Sequence, residues 1–326
     1  MDKLKRVSWG IIGCGDVTEV KSGPALQNVD NSELVAVMRR NGELAQDYAQ
    51  RHGVPRWYDK ANDLINDPEV NAVYIATPPS SHKDYCLKVA EAGKPVYVEK
   101  PMAMTHSECQ EMIQACQQAG VPLYVAYYRR SLPRYTMVKE FIDAGILGNI
   151  QSVNVTLHHL PQVIDRKGKY HWRVDPAVAG AGYFYDLGSH IFDLLQYLLG
   201  PIVRVSGYAS NVGKLYKAED QVSCSFKFAS GITGTGSFLF HASQHIDGAM
   251  IIGDKKNVAY SHFAGDEVYL GSGGKPEVFN KPNPRHIQQP LIQTIVDELT
   301  GEGSCPSTGE TGAATNWVMG EILGVK

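Results

Sequence analysis

Asp186 and His190 stand four residues apart at the start of the apolar segment AGYFYDLGSHIFDLLQYLLGP (181–201). Apolar residues at helical spacing predict a core-facing helix over 187–199, and Gly200-Pro201 ends it. Residues four apart on a helix share one side, so the two groups could form an acid/base pair at the first turn. The alternative is a capping aspartate and a core histidine with a satisfied hydrogen bond.

A glycine pattern follows the first apolar run, RVSWGII (6–12), within GIIGCGDVTEV (10–20). A strand, a glycine turn and a helix in this order allow a backbone to approach a pyrophosphate. Thr18 departs from the pattern, which prefers Gly or Ala there, and Pro24 should break the helix. The alternative is a purely structural glycine turn. The residues predicted to bind a dinucleotide here are Gly13, Cys14, Gly15, Asp16 and Val17.

Arg39 and Arg40 end the second apolar run, where dinucleotide sites commonly carry an acidic residue. Two guanidinium groups suit a 2′-phosphate, and no carboxylate is present to repel it. The sequence therefore predicts a preference for NADP over NAD. The alternative is a pair of solvated arginines.

Two further segments end strands of the same predicted sheet, ATPPSSH (76–82) and VYVEKPMAM (96–104). Ligands of open parallel sheets gather at the carboxyl ends of strands. We therefore expect Thr77, Pro78 and His82 to line the cofactor groove, although TPPSS is also a good helix start. Lys100 should lie beside the nicotinamide, where a developing alkoxide needs a positive neighbour.

Strand-like and helix-like segments alternate through the first part of the chain, from RVSWGII (6–12) to PLYVAYY (122–128). This alternation predicts crossover connections and a doubly wound parallel sheet. After residue 150 the pattern changes to alternating strands with central turns, which indicates an open, mainly antiparallel sheet. The predicted class is α/β, with a doubly wound domain over 1–125 and an α+β domain over 126–326.

Composition limits the classes of partner. The 326 residues and 43% apolar content suffice for two cores. Charge nearly balances, at 31 basic and 34 acidic residues, so neither nucleic acid nor a membrane surface is suggested. The start of the chain does not resemble a signal peptide. Six irregularly spaced cysteines fit reduced thiols in the cytoplasm, and Cys14 is the one whose pKa a helix N-terminus could lower.

Three motifs together resemble the glucose–fructose oxidoreductase, inositol dehydrogenase and MocA (Gfo/Idh/MocA) family. These are the Gly13/Gly15 turn, EKP at 99–101, and AGAGYFYDLGSH (179–190) with its GG-x3-D-x-G-x-H pattern. Ala181 stands where the pattern has a glycine. The resemblance runs from about residue 5 to about residue 200. It implies a Rossmann domain, a second domain with an open antiparallel sheet, and pyridine-nucleotide oxidation or reduction of sugars, polyols or related alcohols. It also implies that residues 1–125 form the Rossmann domain and that 126–326 form a substrate-binding and oligomerisation domain, with a homodimer or homotetramer through its sheet.

The resemblance also implies roles for single residues. Lys100, Asp186 and His190 match the catalytic positions. Glu99 and Arg129 match positions near the cofactor. The residues expected to line the substrate site are Tyr128, Trp172, Arg173 and Tyr185.

These roles suggest a hydride-transfer mechanism. His190 would exchange the hydroxyl proton near neutral pH, because the imidazole pKa is ordinarily about 6.5. Lys100 would stabilise negative charge on the same oxygen, and Asp186 would hold a neighbouring hydroxyl or tune both groups. The tyrosines that could compete with His190 for the proton are Tyr170, Tyr183 and Tyr185.

Other functions remain open from the sequence. A metal site built on Asp186 and His190 would need a third ligand, and His158 and His159 on one strand point to opposite faces. His241 and His245 lack the glutamate of a zinc-protease motif, so no metal is expected. A glycosidase using a tightly held nicotinamide cofactor and a non-catalytic dinucleotide or sugar sensor are the alternative functions.

Overall fold

The computed structural model describes residues 3–325 as two compact units. Unit 1 runs to Ser131 and includes Pro284–Ala313, and unit 2 holds Leu132–Asn283 and the residues from Ala314 onward. The segment Pro284–Ala313 belongs to unit 1, although the sequence analysis assigned it to the second domain. Its contacts explain the difference, because Ser307 bonds to the backbone of Val125 on the Rossmann sheet.

Unit 1 contains a six-stranded parallel sheet in the order β3-β2-β1-β4-β5-β6. This is the predicted doubly wound Rossmann sheet. Its strands are β1 (Val7–Ile12), β2 (Ser32–Met38), β3 (Arg56–Tyr58), β4 (Ala72–Ile75), β5 (Val96–Val98) and β6 (Leu123–Val125). The helices that connect them are α1 (Asp16–Val20), α2 (Gly23–Asn28), α3 (Gly42–His52), α4 (Ala61–Ile65), α5 (His82–Glu91) and α6 (His106–Ala119).

The local sequence sets the helix ends. Asn41 and Thr105 cap α3 and α6 by accepting from the amides of Leu44 and Glu108. Both helices end at glycines with positive φ, Gly53 and Gly120. The strands of this sheet are buried on both faces, which explains their continuous apolar runs.

The first crossover is broken as predicted. α1 ends at Val20 and α2 begins at Gly23, with Pro24 in the first turn of α2. Proline is tolerated there because its missing N–H would have no intrahelical acceptor. The broken crossover leaves α1 as a single short turn after the glycine loop.

Unit 2 contains, among the described residues, an eight-stranded sheet in the order β14-β13-β12-β11-β7-β10-β9-β8. Neighbouring strands are antiparallel except β7 and β10, which are parallel. The strands are β7 (Ile150–His158), β8 (Ile202–Ser210), β9 (Gln221–Phe228), β10 (Thr233–Leu239), β11 (Ile246–Gly253), β12 (Asn257–Tyr260), β13 (Glu267–Gly271) and β14 (Glu277–Asn280).

The alternating strands with central turns form two hairpins here, β9 with β10 and β11 with β12. The glycine-rich segment GITGTGSF (231–238) belongs to the first of these hairpins, where a Cβ at Gly234 would lie 2.4 Å from the Phe226 ring. Sequence analysis missed β13 and β14, the last hairpin of the sheet, because their short runs are separated by GSGG and carry few buried residues.

In sequence, one helix of unit 2 precedes β7 and three others lie between β7 and β8. They are α7 (Pro133–Asp143), α8 (Val163–Arg166), α9 (Pro176–Ala179) and α10 (Ser189–Leu199). In the apolar stripe of α10, Ile191, Leu194, Leu195 and Leu198 are all buried. Leu187, predicted to start this stripe, lies before α10 and is only half-buried.

Two helices follow the second sheet in sequence. α11 (Gln289–Thr300) belongs to unit 1, and α12 (Gly309–Leu323) has its first residues in unit 1 and the rest in unit 2. Within residues 3–325, no helix combines the length and apolar character that crossing a membrane requires.

Candidate functional site

The glycine loop joins β1 to α1 in a conformation that glycine permits. Gly13 has φ of +94°, and a Cβ there would lie 2.8 Å from Thr77 Cγ2 and 3.1 Å from the Ala76 carbonyl. Gly15 is different, because the nearest atom to a Cβ placed there is the Gly13 oxygen at 3.9 Å. Gly13 therefore serves the close packing of two loops, whereas Gly15 leaves open space beside the backbone.

Thr18, the departure from the glycine pattern, is fully buried. Its hydroxyl donates to the Gly15 carbonyl at 2.8 Å, and its own carbonyl accepts from Tyr48 Oη at 2.8 Å. The larger residue is accommodated because its polar atom bonds within the loop. Cys14 is also buried, and burial raises the pKa of its thiol to about 11. Cys14 is thus a neutral packing residue in the turn, and the helix start does not activate its thiol.

The two arginines after β2 differ in environment. Arg39 is half-buried, and its Nη1 lies 3.5 Å from the Cys14 carbonyl oxygen of the glycine loop. Arg40 is exposed. The Arg39 guanidinium is therefore held beside the loop, and it supplies the positive charge at this edge of the sheet.

The loop after β4 carries Thr77 and Pro78, and His82 is the first residue of the helix that follows it, α5. Thr77 and Pro78 are half-buried, whereas the His82 side chain is completely buried. His82 Nε2 lies 2.7 Å from the Thr77 oxygen, and Nδ1 lies 3.1 Å from the Pro101 oxygen. Burial lowers the pKa of His82 despite these carbonyls. Sequence analysis placed His82 in the cofactor groove; its side chain instead holds together the loops after β4 and β5.

Lys100 follows β5 and is half-buried. Its backbone N–H donates to Glu99 Oε2 at 3.1 Å, and Glu99 Oε1 accepts from Tyr74 Oη at 2.6 Å and Gln288 Nε2 at 2.7 Å. Sequence reasoning missed Tyr74 and Gln288. A tyrosine inside a buried strand was a weak signal, and nothing in the sequence linked residue 288 to residue 99.

Tyr128 and Arg129 follow β6 in one short helical turn, and both are buried, at 6% and 4% exposure. The Arg129 guanidinium lies over the Tyr128 ring, 5.2 Å from its centroid. The pair forms a packed cation–π contact at the end of the last Rossmann strand. Their burial limits any ligand contact to a small part of each side chain.

In unit 2, Asp186 lies in a single π-helical turn, Phe184–Gly188, that runs directly into α10. Sequence analysis predicted an α-helix over 187–199, with a capping role for Asp186 as the alternative to an acid/base role. The structure corrects this, because the wider turn precedes α10 and Asp186 is inside it. Such turns occur frequently at functional sites. His190, in the first turn of α10, is 3% exposed.

Arg173 lies next to both Asp186 and Trp172. Arg173 Nε lies 3.8 Å from Asp186 Oδ2, and both side chains are partly exposed. The Arg173 guanidinium lies 4.6 Å from the centroid of the Trp172 ring. The structure therefore brings three of the predicted residues of unit 2 together, with a charged pair accessible to solvent.

The glycines before Asp186 are required by the backbone. Gly180 and Gly182 both have positive φ, and a Cβ at Gly180 would lie 2.7 Å from the Tyr185 ring. Ala181 is not among the residues with positive φ, so a Cβ costs nothing there. Tyr185 is buried against Gly180, at 2% exposure.

A buried hydrogen-bonded group lies nearby in sequence and was missed. Asp165 accepts from Tyr183 Oη at 2.9 Å and contacts His171 Nε2 at 2.9 Å. Burial and Asp165 raise the pKa of Tyr183 well above its usual value. Tyr183 is therefore a poor proton acceptor near neutral pH. Tyr170, the third competing tyrosine, is 71% exposed.

The residues of unit 1 fit a bound dinucleotide. Three features lie at the carboxyl ends of the neighbouring strands β1, β2 and β4. They are the open space at Gly15, the guanidinium of Arg39 beside the same loop, and the half-buried Thr77. A pyrophosphate needs a close backbone approach of this kind, and a ribose phosphate needs a nearby cation. Within residues 3–325, no group of three or more His, Cys, Asp or Glu side chains is arranged to hold a metal ion.

Two family matches cover most of the chain. Residues 7–127 match the oxidoreductase family with an NAD-binding Rossmann fold, and residues 135–259 match the GFO/IDH/MocA C-terminal domain. The first match contains the six strands of the parallel sheet in unit 1, and the second contains most strands of the sheet in unit 2.

Three individual proteins are similar to this chain over nearly its whole length. An oxidoreductase of Formosa agariphila is 36% identical over 98% of this chain and 99% of its own. The 1,5-anhydro-D-fructose reductase of Ensifer adhaerens is 26% identical over 97% of this chain and 94% of its own. The structure of aldose-aldose oxidoreductase from Caulobacter crescentus, complexed with glycerol, has a TM-score of 0.85 at 25% identity, covering 97% of this chain and 96% of that one.

Proposed function

The chain belongs to the GFO/IDH/MocA family of oxidoreductases with an NAD-binding Rossmann fold, and we propose that it transfers a hydride between a nicotinamide cofactor and a sugar or polyol. The observation that carries the proposal is the position of Lys100. It follows β5, which is next to β4 in the parallel sheet, and β4 is next to the strand that ends in the glycine loop. A cationic side chain and a dinucleotide loop therefore share one edge of the sheet.

The cofactor is held by unit 1 in this proposal. The backbone of residues 13–17 receives the pyrophosphate, and the loop after β4 contacts the cofactor through Thr77 and Pro78. Glu99 and Arg129 lie further along the same edge. When bound, the nicotinamide supplies the hydride acceptor or donor.

The chain's own residues handle the proton and the charge. During oxidation His190 accepts the proton of the substrate hydroxyl, and during reduction it returns that proton to the carbonyl oxygen. Lys100 donates a hydrogen bond to the same oxygen and stabilises its negative character. General acid–base catalysis of this kind contributes about 10²–10⁴ in rate.

Asp186 and Arg173 orient the substrate. A carboxyl group beside a guanidinium offers acceptors and donors to adjacent hydroxyls, which is the pattern that sugars and polyols present. The names of two similar proteins support this substrate class, because one reduces 1,5-anhydro-D-fructose and the other is an aldose-aldose oxidoreductase. Trp172 and Tyr185 complete the proposed substrate-binding surface of unit 2. Tyr128 is also proposed to line the substrate.

NADP is the preferred cofactor in this proposal. Arg39 is held at the glycine loop by its contact with the Cys14 carbonyl, and Arg40 follows it at the end of β2. Both can pair with a 2′-phosphate, which NAD lacks. The pyrophosphate contacts would be common to both cofactors.

The outer face of the second sheet is the proposed contact between subunits. Register places Met250, Tyr269 and Val278 on one face across β11, β13 and β14, and all three are exposed. Tyr208 on β8 is 86% exposed. We propose a homodimer or homotetramer through this face, and sedimentation velocity of wild type and Tyr269→Lys tests it.

The reaction itself is tested by its products. Purified protein is mixed with NADP or NAD and a panel of sugars and polyols, and with the reduced cofactors and the corresponding carbonyl compounds. Net change in nicotinamide absorbance together with an oxidised or reduced product supports the proposal. Glycosidic bond cleavage without net reduction identifies the glycosidase alternative, and cofactor binding without turnover of any panel member identifies a sensor.

A further inference from the structure

We propose that Gln288 is a positioning residue for Lys100, acting through the carboxyl group of Glu99. The inference rests on the proposed function, because it assigns Lys100 to the reaction. It adds a residue that lies 189 positions away in sequence from Glu99 and outside every motif of the sequence analysis.

Three donors converge on Glu99. Tyr74 Oη and Gln288 Nε2 donate to Oε1, and the Lys100 backbone N–H donates to Oε2. Glu99 is 7% exposed, and Tyr74 and Gln288 are completely buried. Because a buried hydrogen bond is costly to break, the orientation of the carboxyl group is fixed, and so is the backbone at Lys100.

Tyr97 determines which end of the Gln288 amide meets Glu99. Tyr97 Oη donates to Gln288 Oε1 at 2.8 Å. Burial raises the pKa of Tyr97 far above its usual value, so its hydroxyl stays protonated and can donate. With Oε1 engaged as an acceptor, the amide N–H₂ of Gln288 is directed at Glu99.

The tyrosine rings make this arrangement rigid. Tyr74 and Tyr97 on neighbouring strands are stacked, with centroids 4.6 Å apart, and the Tyr97 ring meets Trp9 edge to face. Hydroxyl groups on stacked, buried rings have little rotational freedom. The two donors thus reach Glu99 and Gln288 from fixed positions.

A purely anchoring role for Gln288 is already served by other bonds of the same segment. The Gln288 backbone N–H donates to the Lys21 carbonyl at 3.3 Å, and the His286 ring contacts the Val20 carbonyl at 2.6 Å. Gln293, on α11, accepts from the Asp30 N–H at 3.0 Å. The Gln288 side chain is the one directed at the residue before Lys100.

Gln293 therefore offers a matched control. Gln288→Met and Gln293→Met each remove one amide from the same segment of unit 1, and each breaks a contact with a residue of its first 131 positions. Only the first removes a donor to Glu99. Tyr97→Phe is the companion variant, since it keeps the ring stack and loses only the hydroxyl that orients Gln288.

Exchange of the Lys100 backbone amide provides a readout that does not depend on turnover. In the protein without added cofactor, hydrogen exchange of a peptide covering residues 96–104 is followed by mass spectrometry. Gln288→Met is expected to speed exchange at Lys100 about tenfold and Tyr97→Phe by a smaller factor, because the acceptor at Glu99 becomes mobile. Gln293→Met is expected to leave it unchanged.

Gln288→Glu tests the mechanism through pH. It places a second carboxyl group against Glu99, and two such groups in contact share one proton until the pH passes their upper apparent pKa. The titratable side chains near Glu99 in the described part of unit 1 are Tyr74, Tyr97, His82 and Lys100. We expect kcat of this variant to fall as pH rises through that upper value, in a range where wild type stays active.

The kinetic outcomes separate this inference from the proposed function. Gln288→Met should lower kcat about tenfold while the dissociation constant of NADPH changes less than threefold. If Lys100→Ala is nearly inactive but Gln288→Met matches Gln293→Met in kcat, exchange and pH profile, the positioning role is overturned and the proposed function stands. If Lys100→Ala turns over normally, the proposed catalysis fails. Hydrogen exchange of the Lys100 backbone amide then decides the positioning claim. If this amide exchanges in Gln288→Met at the same rate as in wild type, the claim is overturned.

Discussion

The imidazole of His82 lies 2.7 Å from the carbonyl oxygen of Thr77, and through its other nitrogen it reaches the loop that begins at Lys100. One buried side chain thus joins the loops after β4 and β5. The loops carry the residues proposed to contact the cofactor and the substrate oxygen. Their mutual position is set inside the core, by contacts that no ligand touches.

Replacing this histidine should weaken the fold in a pH-dependent way. His82→Phe keeps a ring but donates no hydrogen bond, so we expect a loss of about 1–3 kcal/mol in the free energy of unfolding near pH 8. Because burial lowers the pKa of His82, the unfolded chain binds the proton more readily. The contribution of His82 is complete above about pH 6.5, its ordinary pKa, and declines as the pH falls.

Urea unfolding of wild type and His82→Phe at several pH values measures this difference. The gap between the two proteins should narrow as the solution is acidified, since other titrating groups are common to both. His106→Phe on α6 is the control, with a half-buried ring that bonds within its own helix. A gap that widens at low pH would contradict the account.

The open space at Gly15 predicts a variant that folds and does not bind. Gly15→Ala adds a Cβ with no neighbour closer than 3.9 Å, so the free energy of unfolding should change little. The same methyl group would occupy the path of the pyrophosphate, and NADPH affinity should fall at least tenfold. Gly23→Ala is the contrast, because its Cβ would lie 2.2 Å from Tyr48 Oη and should destabilise unit 1. Thermal melting and nicotinamide fluorescence titration report the two properties separately.

The arginines after β2 predict the choice of cofactor. Arg39→Ala should weaken NADPH binding about 10–100-fold, the range of one or two charge-assisted hydrogen bonds, and leave NADH binding within about threefold. Arg40→Ala should have a smaller effect, since that side chain is exposed. Arg6→Ala, before the amino end of β1, is the charge-matched control. Equal losses for NADPH and NADH in Arg39→Ala would refute the assignment to the 2′-phosphate.

Arg173 predicts an effect on substrate affinity. Its 3.8 Å contact with Asp186 is partly exposed, so it contributes less than about 1 kcal/mol to stability. Arg173→Met should therefore leave the melting temperature nearly unchanged and raise KM for the sugar or polyol several-fold. Arg166→Met on α8 serves as control. Unchanged KM and kcat for Arg173→Met would remove Arg173 from the substrate site.

Local signals account for what sequence analysis predicted correctly. The glycine turn, the break at Pro24 and the alternation along β9 to β12 are effects of short range, and each is present. The strongly apolar stripe of α10 was equally clear. These features depend on residues within a few positions of one another, so a single sequence suffices to find them.

Long-range contacts account for what it missed. Gln288 meets Glu99 only because α11 packs with the Rossmann sheet, and no periodicity in the sequence indicates that pairing. The π-helical turn at Asp186 follows Gly180 and Gly182, which have positive φ and lie where a Cβ would meet Tyr185 and Ala218. Sequence spacing alone does not show these close approaches. The burial of His82 was hidden because TPPSSH also reads as an exposed helix start.

The central claim is that Lys100 and His190 serve one hydride transfer. The most direct measurement is single-turnover nicotinamide absorbance in wild type, Lys100→Ala and His190→Ala, at saturating cofactor and with the best sugar or polyol of the panel. The account predicts a loss of about 10²–10⁴ in the transfer rate for each variant, with NADPH affinity changed less than threefold. Transfer at the wild-type rate in both variants would contradict it.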